Sequence, residues 1–355
     1  MPEPGRRPTL ADVAAASGMS KSAVSMILNN RPGSRLSPET ATRVRHAAES
    51  LGYRPNPAAQ SLRWGKTHTV GFVSDLVTVT RFASGMIHGA LRTAHTHNHT
   101  VLIAETEGQP DRLQDEISAM VHHRVDGILV GLMAARLIDV AKVPKDLPLV
   151  IVNGLTTQDH PSVLPEEYAA GHAVASSLID AGHTRIGIIG DLPITAEDLR
   201  SSATIPQRFQ GIDDALNAAG IVASRVTVPH WTPDIGYDEA LRLLPAHPDL
   251  TAIIATNDSV AFGVYQAAHH LGIRIPEDLS VISFDDEELA AYLRPGLTTA
   301  RLPYAEMAQI GMDMILGTRD LAHELVPMPL ITRRSVSAPR QADAPMGSPR
   351  LSSRP

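Results

Sequence analysis

Two sets of residues in this chain have the type and spacing that recognition chemistry needs. The first lies in residues 9–29, T-L-A-D-V-A-A-A-S-G-M-S-K-S-A-V-S-M-I-L-N. Lys21, Ser22 and Met26 fall near the start and outer side of a short helix that Ser20 opens, where side chains can reach base edges in a DNA groove. Lysine and serine read donors and acceptors there. A methionine offers only apolar contact, to thymine methyls or to shape, unless it packs into the core instead. Thr9, Ser20, Ser25 and Asn29 can bind phosphate, while helix capping accounts equally well for Thr9 and Ser20. Arg31 and Arg35, in the turn that follows, are further phosphate contacts. The second set ends short apolar runs: Ser74-Asp75, Asn153-Gly154, Gly190-Asp191, Thr256-Asn257-Asp258 and Asp285-Asp286. Polar groups at the carboxyl ends of parallel strands can hold a small molecule.

These residues need elements to position them. Leu10–Ala16 predicts an alanine-rich helix broken at Ser17-Gly18, and Ala23, Val24 and Ile27 share one face of the next. Two short helices joined by a tight glycine turn form a helix-turn-helix, whose second helix enters the major groove. A third helix opens at Ser37-Pro38-Glu39-Thr40, with a serine cap and proline at the first helical position. It runs through Val44, Ala47, Ala48 and Leu51 and stops at Gly52. Asn56–Leu62 reads as a brief helix, capped by Asn56 and closed by Gly65, too short to be stable alone. From residue 69, seven apolar runs alternate with amphipathic stretches: Val70–Val73, Val101–Ala104, Gly127–Val130, Leu149–Val152, Ile186–Ile189, Ala252–Ala255 and Leu279–Phe284. The expected fold class is therefore α/β with parallel sheets, behind an all-α head.

Charge divides the same way. Residues 1–66 hold ten basic side chains against four acidic ones, a net +6, which leaves −13 on the rest of a chain whose total is −7. A basic head on an acidic body is the electrostatic footprint of a DNA-reading module joined to something else. At 355 residues the chain is too long for one core. It has no cysteine, which excludes disulfides, thiolate metal sites and a cysteine nucleophile. No apolar run is long enough to span a membrane and the N-terminus lacks a signal-peptide core, so a cytoplasmic location is expected.

Several motifs occur together and in order: T-L-A-D-V-A…S-G-M-S…A-V-S…L-N, S-P-E-T…L-G-Y-R-P-N-P-A-A-Q-S-L, L-I-D-A-G-H-T-R-I-G-I-I-G, Q-R-F-Q-G-I-D-D-A-L-N-A-A-G-I, A-I-I-A-T-N-D-S-V-A-F-G-V and I-P-E-D-L-S-V-I-S-F-D-D. On these the chain resembles the lactose-repressor (LacI/GalR) family of bacterial transcription regulators, over residues 9–337. The resemblance implies a body like a periplasmic sugar-binding protein: two α/β lobes joined by crossover strands, with a ligand in the cleft. It also implies a homodimer whose two heads sit on near-palindromic operator DNA. The expected organisation is a tail at 1–8, a helix-turn-helix domain at 9–53, a hinge helix and linker at 54–66, a two-lobed effector-binding and dimerisation domain at 67–337, and a disordered tail at 338–355.

The resemblance also assigns residues. Tyr53 lies in the L-G-Y-R-P-N segment and joins the DNA-contacting set. Asn56 and Ala59 face the minor groove, and Leu62 is the leucine that wedges into a base step, a task compatible with packing on the partner's hinge helix. Met26 stands where the family has arginine, so either this position reads apolar features or specificity has moved to Lys21 and Ser22. The turn from Asn30 to Leu36 is longer than the family's pattern. In the cleft, Arg208 matches the arginine that grips hydroxyls or a carboxylate. Asp285 accepts sugar hydroxyls, Asn257 donates and accepts, and Trp231 stacks on a sugar face or caps an apolar ligand, unless it is core. Asp75 and Phe82 follow the first strand, although V-T-V-T-R-F replaces the family's Asn-Pro-Phe-Phe-like loop. Pro165-Glu166-Glu167 likewise replaces an Asp-Asn motif.

Other chemistries are poorly supported. His95, His97 and His99, with His122 and His123, have the spacing of a helix end leading to a strand, without the cysteine or carboxylate partners of a metal site. There is no nucleophile elbow, phosphate-binding glycine loop or paired catalytic carboxylates. Neither an enzyme activity nor a cofactor is expected. The expected function is an effector-controlled, sequence-specific DNA-binding repressor; the alternative is a solute-binding protein without a regulatory role.

Overall fold

The computed structural model describes residues 8–28, 37–54, 66–81, 83–140, 142–194 and 197–340. It divides into two compact units, one ending at His68 and the other beginning at Thr69.

The first unit holds three helices: α1 (Leu10–Ser17), α2 (Lys21–Leu28) and α3 (Pro38–Ser50). Their ends are set by local chemistry. At the start of α1 the Thr9 amide donates to the Asp12 carboxylate at 2.7 Å. Gly18 closes α1 at φ +68°, a left-handed conformation that glycine adopts without a Cβ clash. Ser20 Oγ accepts from the Ala23 amide at 3.2 Å and starts α2, and Ser37 Oγ does the same for Thr40 at 3.3 Å to start α3. Val13, Ala14, Val24, Ile27, Val44 and Ala48 make the shared core, with Tyr53 packed against its edge.

The second unit is built on two six-stranded sheets. In chain order its elements are β1 (Thr69–Asp75), α4 (Ser84–Thr96), β2 (Thr100–Glu105), α5 (Pro110–His122), β3 (Ile128–Ile138), β4 (Leu149–Thr156), β5 (Ser162–Pro165), α6 (Glu167–Asp180), β6 (Ile186–Asp191), α7 (Ile205–Ala218), β7 (Ser224–Thr227), α8 (Pro233–Ala246), β8 (Ala252–Ala255), α9 (Asp258–His270), β9 (Ser280–Asp285), α10 (Glu288–Tyr292), β10 (Thr298–Arg301), α11 (Tyr304–Leu316), β11 (Glu324–Val326) and β12 (Leu330–Ile331). One sheet runs β11-β5-β4-β3-β1-β2 and the other β12-β10-β9-β8-β6-β7; every pairing is parallel except β10 with β12. Each of the seven apolar runs is a strand of these sheets.

The central strands of each sheet are covered on both faces, which is why they read as unbroken apolar runs; the edge strand β2 is partly exposed. In the N-terminal lobe Met86, Ala90, Met307 and Ile310 of α4 and α11 pack on one face, and Leu113, Ile117 and Met120 of α5 on the other. In the C-terminal lobe α8 and α9 cover one face, and α6 and α7 the other. The chain passes between lobes after β5, after β10 and between β11 and β12. Strand β3 outruns β1 and, past a register shift between Gly131 and Arg136, pairs with β4 again through Ile138. Its extension bonds to the opposite lobe: the Ala203 amide donates to the Ala135 carbonyl and the Leu137 amide to the Leu199 carbonyl, both at 2.8 Å.

Residues 338–340, the first of the expected C-terminal tail, are among the described residues. Ser337 bonds to Ser280 and Pro276, and the Arg340 guanidinium donates to the Pro248 carbonyl, so the chain stays packed through residue 340.

Candidate functional site

Where the two sheets face each other, a cavity of about 600 Å³ is lined from the N-terminal lobe by Met133, Ala134 and Asn153 and from the other by Arg208, Asp285 and Trp231. Its most unusual feature is Arg208, whose side chain is only 2% exposed. Nε and Nη2 donate to the two carboxylate oxygens of Glu167 at 2.7 and 2.8 Å, and Nη1 donates to the Thr256 carbonyl at 2.6 Å. Phe284 lies 4.3 Å from the guanidinium carbon and Trp231 5.5 Å. Burial alone would weaken the guanidinium's charge; Glu167 and Asp285 more than offset it, and the group remains a cation. Five N–H donors serve three bonds, leaving one proton on Nη1 and one on Nη2 for something else.

The ion pair depends on a close helix crossing. A Cβ at Gly171 on α6 would lie 2.1 Å from the Arg208 carbonyl, and a Cβ at Gly211 on α7 would lie 2.1 Å from the Tyr168 carbonyl. Each glycine is within one turn of a partner, Gly171 four residues after Glu167 and Gly211 three after Arg208. The crossing therefore brings the bidentate pair together.

Asp285 ends β9 at φ +104°, a conformation that costs a non-glycine residue energy and persists only where its surroundings impose it. Its carboxylate stands 3.7 Å from Arg208 Nη2, beyond hydrogen-bond reach. Burial pushes it up to about 7; Arg208 opposes this, while Asp258 and Glu167 add to it. Glu287 also lines the cavity, and burial with Asp285 and Asp258 nearby raises it to about 8. Asp258 is raised to about 6 by burial, although it accepts from Ser283, from Thr299 Oγ1 at 2.8 Å and from the Glu287 amide at 2.7 Å. Asp286, by contrast, is paired with Arg301 at 2.7 Å and Arg333 at 2.6 Å.

Of the six residues expected in the cleft, Arg208, Trp231, Asn257 and Asp285 all line this cavity. Trp231 Nε1 donates to the Gly190 carbonyl at 2.6 Å, which fixes the indole. Asn257 Oδ1 caps α9 by accepting from Val260 at 2.8 Å, leaving its amide nitrogen as donor. Asp75 does not join them. It is ion-paired with Arg136 and faces a separate cavity with Gln109, Gln114 and Arg200, because the β3 extension carries Arg136 across the end of β1. Phe82 lies outside the described residues.

Sequence reasoning missed Glu167 and Glu287; Arg208 is held bidentately by Glu167, with Asp285 at a longer ion-pair distance of 3.7 Å. Glu166, the neighbour it considered, caps α6 by accepting from the Ala169 amide at 3.0 Å. The two glycines at helical spacing from Glu167 and Arg208 were the available signal. Asn153, one of the strand-end polar groups, lines the cavity, and its amide donates to the carbonyls of Leu132 and Met133 at 3.0 Å.

In the head, Lys21 and Ser22 are exposed at the start of α2, and Met26 is half-buried outside the core cluster. Ser25 instead faces inward, 9% exposed. Thr9 and Ser20 cap helices, and Tyr53 is half-buried. Asn29, Arg31, Arg35, Asn56, Ala59 and Leu62 lie outside the described residues. The histidine run does end α4 and lead to β2: His99 Nδ1 contacts the His97 carbonyl at 2.8 Å, and Nε2 lies 3.8 Å from Asp126.

Comparison with known proteins agrees with both parts. Residues 9–56 match the family described as bacterial regulatory proteins, lacI family, and residues 175–336 match a periplasmic binding protein-like domain. The chain is 32% identical to the ribose operon repressor of Haemophilus influenzae, covering 87% of this chain and 91% of that protein. It is 32% identical to the transcriptional regulator GalS of Salmonella typhimurium, over 94% and 97%. Among solved structures, a lac repressor dimer bound to operator and the anti-inducer ONPF shares its fold, with a TM-score of 0.73 at 22% identity over 94% of this chain and all of that one. The chain belongs to the lacI family of bacterial regulatory proteins, a DNA-binding helix-turn-helix carried with an effector-binding body.

Proposed function

We propose that this regulator is a repressor whose operator affinity is set by a carbohydrate bound in the cleft around Arg208 and Asp285. The observation that carries the reading is the buried Arg208 held at the strand ends of a cavity of about 600 Å³, with two N–H donors unspent and Asp285 beside it. Alternating donors and acceptors over an indole face suit a polyhydroxylated ring. A relative named as a ribose operon repressor fits a sugar ligand. Because both lobes line the cavity, a ligand shifts whichever lobe arrangement it binds better. Lys21, Ser22 and Met26 read bases, and Leu62 wedges the minor groove. A second copy pairs on the N-terminal lobe, where Leu91 of α4 and Leu102 and Ile103 of the edge strand β2 are exposed.

The test is footprinting on DNA upstream of the protein's own gene, with and without sugars. Salt-sensitive, site-specific protection that a sugar shifts supports the reading, and Asp285→Asn abolishes the shift. Protection absent at every salt concentration would falsify it. Leu62→Ala weakens specific binding far more than non-specific binding; equal losses count against the wedge.

A further inference from the structure

Two of the acids that line the cleft have no cation to themselves. The only lysine or arginine in its described lining is Arg208, and that charge is committed bidentately to Glu167. Asp285 is left at 3.7 Å, too far for a hydrogen bond. Glu287 has no hydrogen bond or ion pair through its carboxyl among the described residues; its amide alone is anchored, to Asp258. The cation whose charge acts on Glu287 is the exposed Arg81 of the N-terminal lobe, which lines a neighbouring cavity with it. Tyr304 does not compensate either, since its hydroxyl donates to the Met133 carbonyl at 3.1 Å. Counted by group, the lining carries Glu167 and Arg208 cancelling, and Asp285 and Glu287 in surplus.

A neutral polyol needs one carboxylate to accept its hydroxyls. A second partly buried carboxylate with no partner is costly, and a ligand that brings a positive charge removes that cost. An anionic group on a ligand would make ionising Asp285 and Glu287 costlier still and gains no cation from them, which gives specificity by exclusion. We infer that the effector carries a basic nitrogen, as an aminated sugar does, and that Glu287 is the residue that selects it. The upward shifts of Asp285 and Glu287 agree, since both arise from unrelieved burial and mutual repulsion. This inference rests on the cleft being the effector site.

The experiment is calorimetric titration of the full chain at neutral pH. The probes are glucosamine, galactosamine and mannosamine, each against its parent hexose, its N-acetyl form and its 6-phosphate. At least one free amine is expected to bind about ten-fold or more tighter than its parent and its acetylated form, and Glu287→Gln brings that ratio to within about two-fold. The inference is overturned if the tightest probe is neutral or anionic, if no amine binds at about 20 mM, or if Glu287→Gln leaves the ratio unchanged. A neutral sugar that binds and is lost in Asp285→Asn sinks the amine and keeps the cleft. An amine whose binding neither Asp285→Asn nor Glu287→Gln alters lies elsewhere, and both readings fall. Discrimination between amine and acetylated amine is read on the unmodified chain, so the test stands even if a variant misfolds.

Discussion

Each lobe ends its sheet in an aspartate beside an arginine, and the two pairs are used differently. In the N-terminal lobe Asp75 closes β1 and is consumed by Arg136, itself 28% exposed. In the C-terminal lobe Asp285 closes β9 but does not reach Arg208, because Glu167 has taken the guanidinium in a bidentate grip. In the first arrangement the ion pair engages one carboxylate oxygen, and Asp75 Oδ1 is buried without a hydrogen bond. The second fixes the arginine on Glu167 and leaves Asp285 at 3.7 Å, in ion-pair range but without a hydrogen bond to it, at a cavity. A strand-end aspartate is thus a binding group only when its neighbouring cation is spent on something else.

The sharpest way to break this contrast is to remove the cation that is spent. Arg208→Met strands the buried Glu167 charge and is expected to cost about 3–5 kcal/mol in urea unfolding, while Arg208→Met combined with Glu167→Leu recovers most of it. A single-variant loss under about 1 kcal/mol would mean that the pair is not desolvated as described. Gly171→Ala should come next, at about 1–3 kcal/mol, since its Cβ meets the Arg208 backbone. It should also weaken the effector response by displacing the arginine; a variant with full stability and full response would remove the crossing from the argument. Asp75→Asn tests the other lobe. It should leave the effector response intact, and a response lost as completely as in Asp285→Asn would return Asp75 to the site.

Acid and base act on the two kinds of carboxyl in opposite senses. Asp258, Asp285 and Glu287 are held above their unfolded values, so the fold binds protons there; their contribution is full below about pH 4 and is lost as pH rises through 6 to 8. Burial also pushes Glu105 upward, but hydrogen bonds from Ser74, Thr78, Glu107 and Leu76 outweigh it and hold the group at about 2. Its contribution is present above the ordinary carboxylate range and lost as pH falls toward 2. The ligand-free protein should therefore melt at lower temperature at pH 8 than at pH 5, with a flatter slope in Glu287→Gln. A rising slope between those values contradicts the surplus charge. The smallest expected effect is in the head, where Ser20→Ala removes one cap and should cost about 1 kcal/mol.

The ends of the three described head helices and seven of the twelve described strands were legible because they depend on short-range rules; β5, β7, β10, β11 and β12, of two to four residues each, were not read. Gly18 and Gly52 take positive φ, Ser20 and Ser37 supply capping oxygens, and doubly covered strands are apolar throughout. Asn257 and Asp285 were legible as polar groups at strand ends, whereas Arg208 and Trp231, on separate stretches, were assigned to the cleft only through resemblance. Glu167 escaped because it sits beside Glu166 at a helix start, where one carboxylate caps and the other turns inward, and spacing does not say which.

By itself, then, the sequence determined the elements, the head-and-body division of charge and the strand-end chemistry, all of them consequences of neighbours along the chain. The tertiary structure alone decided which acid meets which base. Glu167 lies 41 residues before Arg208 and Asp75 lies 61 before Arg136, and both pairings depend on where a helix crossing or an extended strand places the cation. Glu167 takes the hydrogen bonds of Arg208, so Asp285 shares that cation at 3.7 Å and Glu287 faces the cavity with no carboxyl partner among the described residues.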